Sequence, residues 1–155
     1  NDTTGTGSTD GFQIYTSNNV AILENKENAE MRFYTNALER MRIDSSGNLG
    51  IGTTSPQRRL HQHVSSSGQN YHSFTNDTTG SSSSDGIILG INVNEEAIFW
   101  NYENTDMRFA TNGTDRLIID NDGKVGIGTT SPNRKLHVAS SFIRVDDGHR
   151  KSYIR

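Results

Sequence analysis

Short apolar runs alternate with polar turns along the whole chain, and no window holds a sustained 3.6-residue period. Residues 12–15, 20–23, 31–34 and 41–43 read as strands, as do 87–90, 96–99, 107–110 and 117–119. Along Met31-Arg32-Phe33 and Met107-Arg108-Phe109 the apolar side chains share one face and Arg takes the other, by the period of two. Ile87-Ile88-Leu89-Gly90 is apolar on both faces, as expected of a strand covered on both sides. Between the strands stand Asn-, Ser-, Thr- and Gly-rich turns. Asp44-Ser45-Ser46-Gly47 and Asp120-Asn121-Asp122-Gly123 are hairpin signals.

The pattern occurs twice. Arg40-Met41-Arg42-Ile43-Asp44-Ser45-Ser46-Gly47-Asn48-Leu49-Gly50-Ile51-Gly52-Thr53-Thr54-Ser55-Pro56, running on to Leu60-His61, returns as Arg116-Leu117-Ile118-Ile119-Asp120-Asn121-Asp122-Gly123-Lys124-Val125-Gly126-Ile127-Gly128-Thr129-Thr130-Ser131-Pro132, running on to Leu136-His137. The loops before the strands also recur, residues 1–11 against 76–86. The alignment slips by one residue between Thr16 and Val20, which marks a turn. An internal repeat of this period implies small modules that complete their cores by stacking. The expectation is all-β: tandem β-meander modules of about six short strands. The first spans 1–64 and the second 76–138, with a connecting strand or linker over 65–75. Residues 139–155 start a further β segment, with one more hairpin from 142 to 154 that is cut short. The best helical candidate is one turn after Pro56 and Pro132, with Ser55 and Ser131 as N-caps and Pro at the first helical position.

Composition turns two small modules into a stability problem. Apolar residues make up 30% and there is no cysteine, so core and disulfides are both scarce. Modules of about 75 residues bury only about 60% of their unfolded surface. An obligate oligomer follows, with the core completed between chains. Net charge is −3 without a basic stripe, which argues against nucleic acid. No apolar stretch approaches the ~20 residues that span a bilayer, so no membrane insertion is expected. The chain opens in mid-pattern, as an excerpt from a longer protein would, and it does not open on a signal peptide.

The repeated stretch, together with Asn76-Asp77-Thr78-Thr79-Gly80 and Glu103-Asn104-Thr105-Asp106-Met107-Arg108-Phe109-Ala110-Thr111-Asn112, resembles bacteriophage tail fibre shafts. Such stretches often stand ahead of an endosialidase-type self-cleaving chaperone. The resemblance covers nearly all of the chain except its last fifteen or so residues. It implies a parallel homotrimer, a location in the extracellular virion tail fibre, and attachment to the host surface. Trimeric closure would also remove free sheet edges. Gly50, Gly52, Gly126 and Gly128 would then let backbones approach closely while Ile51 and Ile127 fill a threefold axis. The alternative is that these glycines only relax a turn. The chaperone's catalytic region is not recognisable.

Candidate sites are few. His61-Gln62-His63 puts two imidazoles on one face of a strand. At a threefold axis six would converge, the arrangement some tail fibre tips use to hold iron, and this is the single metal site to weigh. The second copy has His137-Val138-Ala139 instead, and a polar surface strand explains the pair equally. No cofactor is otherwise expected. Asp120-Asn121-Asp122-Gly123 hints at a calcium loop but lacks its continuation and terminal Glu, and a hairpin turn explains it. Trp100 and Tyr102 align with Glu24 and Lys26, which places them near solvent. Aromatics two apart on a strand form a sugar-stacking platform, so they are the candidate contacts for a host surface glycan. Packing against a neighbouring chain or the preceding loop is the alternative. Asn1, Asn76 and Asn112 begin glycosylation sequons. There is no nucleophile–base pair, no Gly-x-Ser-x-Gly and no phosphate loop, so no enzyme activity is expected. Three functions follow in order: a structural, receptor-facing tail fibre segment; a repeating subunit or adhesin of an extracellular filament; a glycan-degrading tailspike fragment.

Overall fold

The computed structural model describes residues 10–139 and, for the backbone alone, strands Ile143–Asp146 and Lys151–Ile154. The first nine residues, with the Asn1 sequon, and Phe142 lie outside the described residues. The described chain is all-β, with no helix. Residues 10–139 form thirteen strands in four small sheets.

Strands β1 (Phe12–Ser17) and β2 (Val20–Asn25) form an antiparallel hairpin. Next come β3 (Met31–Thr35), β4 (Leu38–Ile43), β5 (Leu49–Ile51) and β6 (Leu60–Gln62), paired in that order. Then β7 (Asn70–Phe74), β8 (Ile87–Ile91) and β9 (Ala97–Asn101) make a three-stranded sheet. The four-strand arrangement returns as β10 (Met107–Thr111), β11 (Thr114–Ile119), β12 (Val125–Ile127) and β13 (Leu136–Val138). Strands β14 (Ile143–Asp146) and β15 (Lys151–Ile154) pair antiparallel, where a terminal hairpin is expected. By contact the chain divides into two compact units: Asn1–Tyr71 with Gly90–Ala97, and His72–Leu89 with Ile98–Arg155.

Turn chemistry explains the hairpins. Asn18-Asn19, Asn36-Ala37 and Asn112-Gly113 each hold two successive residues at positive φ, the type I′ geometry that matches strand twist. Asp44 and Asp120 start longer turns, in which Gly47 (φ 79°) and Gly123 (φ 72°) donate N–H to the aspartate carbonyls. Each aspartate's Oδ1 also accepts two backbone N–H groups, from Ser46 and Asn48 or from Asp122 and Lys124. Those bonds hold both carboxyls below the usual carboxylate range, with the Asn48 and Lys124 N–H groups contributing most.

Three expectations need correction. The meander holds only through three strands of each four-stranded sheet, because β6 and β13 enter parallel to β5 and β12. The Thr-Thr-Ser-Pro corner makes that link. Gly52 and Gly128 turn it at φ 71°, Thr53 and Thr129 hydroxyls accept from Ser55 and Ser131, and Pro56 and Pro132 are buried. No helical turn follows either proline. Gln57 N–H bonds instead to His61 Nδ1, 3.2 Å away. Strand β8 is likewise not covered on both sides: Ile88 is 5% exposed, while Leu89 is 53% exposed.

Register sets what each face carries. On the second four-stranded sheet, Met107-Ile119-Val125-Leu136 and Phe109-Leu117-Ile127-Val138 form two cross-strand rows on one face. The first sheet has Met31-Ile43-Leu49-Leu60 and Phe33-Met41-Ile51-Gln62. None of these side chains is buried; Phe109 remains 43% and Ile127 41% exposed. The opposite faces carry Arg108-Ile118-Gly126-His137 and Arg32-Arg42-Gly50-His61. Beside the two corner prolines, Ile118, 2% exposed, and Ile88 are the buried apolar side chains among the described residues.

Candidate functional site

A short polar frame occurs in both copies. Gly86 accepts Tyr102 N–H on its carbonyl, and its own N–H bonds to the Glu103 carboxylate at 2.7 Å. Asn101 between them locks the turn: Oδ1 accepts Glu103 N–H, and Nδ2 donates to the Thr105 carbonyl and hydroxyl. The first copy builds the same frame from Gly11, Asn25, Lys26 and Glu27. The Gly, Asn and Glu recur at matching positions, a signal visible in the sequence but not read from it as a clasp.

The two frames carry different side chains on the same outward positions. In the second copy Trp100 and Tyr102 stand side by side, ring centroids 6.0 Å apart and planes 36° apart, at 53% and 40% exposure. In the first copy Glu24 and Lys26 form an ion pair at 3.2 Å, and Tyr15 donates its hydroxyl to Glu24 at 2.8 Å. The carboxylate's pKa is lowered by the Tyr15 bond and then by Lys26, and the phenol's is raised in turn. Strand alternation puts Trp100 on the face away from Phe99, which instead meets Phe109 edge-on at 6.2 Å. The sequence-predicted pair is therefore assembled, solvent-facing and set apart from the apolar rows.

The histidines sit differently. His61 lies on the sheet face opposite the apolar rows, and its Nδ1 is taken by Gln57 N–H. His63 lies nearby, ring centroids 6.2 Å apart. Among the described residues no three His, Cys, Asp or Glu side chains group as a metal site. A closed axis built on the apolar rows would leave these imidazoles facing away from it.

The glycines of the Gly-Ile-Gly strands serve close approach within the chain. A Cβ on Gly50 would meet Thr53 O at 2.9 Å, and one on Gly126 would meet Thr129 O at 2.6 Å. Ile51 and Ile127 between the glycines point outward on the apolar face. The Asp120 loop is a hairpin turn whose carboxylate oxygens face its own backbone and Lys124. Elsewhere the charged groups pair within the chain. Glu39 receives Arg42 at 2.5 Å and Tyr34 at 3.2 Å, which lowers its pKa, Arg42 contributing most. In the second copy Arg108, the counterpart of Arg32, pairs with Asp115. No family model and no curated protein sequence matches the chain.

Proposed function

We propose that this chain is a structural, receptor-facing segment of a bacteriophage tail fibre. Its tandem β modules intertwine with two other copies in a parallel homotrimer outside the cell, and it acts in host attachment without catalysis. One observation carries the reading. Each four-stranded sheet has a face of two cross-strand rows, eight apolar positions in the second copy, none of them buried within the chain. Apolar area of this kind contributes about 25 cal/mol per Å² when removed from water. A monomer would leave that contribution unused and present a sticky surface. The same rows recur in both copies, which suits an assembly that repeats the same contact along its length.

The chain lacks cysteine, so engineered cysteines report chain packing cleanly. Ile51→Cys and Ile127→Cys, made separately and oxidised, are each expected to give interchain disulfides. A parallel, in-register arrangement brings both residues next to their own copies. An antiparallel twofold pair would do so at one position at most, and a monomer at neither; both results would overturn the proposal. Release of reducing sugar from bacterial polysaccharide would overturn its non-catalytic part.

A further inference from the structure

We propose that Trp100 and Tyr102 form a stacking platform for a pyranose ring of a bacterial surface polysaccharide; this rests on the attachment reading and names its ligand class. Three observations support it. First, the rings lie side by side and half-exposed, 6.0 Å between centroids, a width that one C–H face of a pyranose ring can cover. Second, the platform is held before any ligand arrives, because Tyr102 N–H, Asn101 and Glu103 are all fixed in the Gly86 clasp. Pre-organisation of this kind reduces the ordering cost of binding. Third, the equivalent positions of the first frame hold a Glu24–Lys26 ion pair that is partly exposed, so these positions accept a charged pair. Large aromatics left half-exposed at positions that accept a charged pair mark a contact surface. A second copy of the chain is the weaker occupant. The apolar rows continue through Phe99 onto Phe109 on the other side of the strand, away from Trp100.

Trp100 is the only tryptophan, so its fluorescence reports this spot alone. The full chain would be titrated with a panel of purified O-antigen and capsular polysaccharides. A saturable shift in Trp100 emission with at least one of them is expected. The Trp100→Glu, Tyr102→Lys double variant copies the pair that the first frame already holds. It should keep the wild-type oligomeric mass and circular dichroism while losing affinity by about tenfold or more on that polysaccharide, measured by calorimetry. Trp100→Ala alone provides the second variant and should lose affinity in the same direction. No saturable response across the panel, or undiminished binding by the variants, would overturn the platform. So would a changed oligomeric mass in the double variant, which would assign the rings to a chain contact. Failure of the wild-type chain to self-associate overturns the assembly reading instead, and leaves the polysaccharide titration to judge the platform.

Discussion

At the scale of single residues, the two copies act as a built-in substitution experiment. Ala37 holds φ 58° where the second copy has Gly113 at φ 68°. An alanine Cβ is disfavoured in this left-handed region by about 1 kcal/mol or more. Ala37→Gly should therefore stabilise the chain by about 1 kcal/mol, and Gly113→Ala should destabilise it similarly, read from denaturant midpoints. Open space surrounds Gly113, so its cost is conformational and not steric. Asp44 and Asp120 make a pH prediction. Their folded-state pKa values lie below the ordinary aspartate value, because backbone N–H groups favour the carboxylate. Their stabilisation is present above the unfolded-state pKa and is lost as pH falls through the folded value. Melting temperature should drop on acidification below the ordinary aspartate range. Asp44→Asn with Asp120→Asn should flatten that dependence; an unchanged slope would contradict the account.

At the scale of elements, the sheets depend on the face opposite the apolar rows. Ile118 is buried in the second sheet at the position where the first copy carries Arg42, half-covered and paired with Glu39. Ile118→Ala should cost about 2–4 kcal/mol, the penalty of a lost core contact plus its cavity. Gly126→Ala should also be costly, because the new Cβ would meet Thr129 O and Ile118 Cγ2 within 3 Å. Gly123→Ala, with no atom near, meets only the φ penalty. Thermal melts of the three variants should rank Gly123→Ala as the mildest.

This is also the scale at which the sequence was most and least readable. Period-two alternation and Asn-Gly or Asp-Gly turns identify the hairpins, because both are local signals. The parallel entry of β6 and β13 was not legible. Parallel strands ordinarily need a longer crossover, usually a helix, and the Ser-Pro pair imitates a helix start. The corner uses hydroxyl turns and a buried proline instead. Trp100 and Tyr102 were legible because a charged pair occupies their places in the other copy. The clasp that fixes them was not, since Gly86 and Glu103 are joined through space and no local pattern links them.

For the whole molecule, the central claim is that the apolar rows are buried against other copies. It follows from the scarcity of core within each unit: apart from the two corner prolines, Ile88 and Ile118 are the buried apolar side chains among the described residues. Small modules with so little interior are stabilised by association. Charge supports association weakly, since the ion pairs form within the chain and leave the apolar rows uncovered. Sedimentation equilibrium of the wild-type chain beside Ile127→Asp, at micromolar concentration, tests this directly. The account predicts a discrete three-chain species for the wild type and dissociation of the variant, whose carboxylate would be placed in the apolar row. A folded wild-type monomer, or a variant that still assembles as three chains, would contradict it.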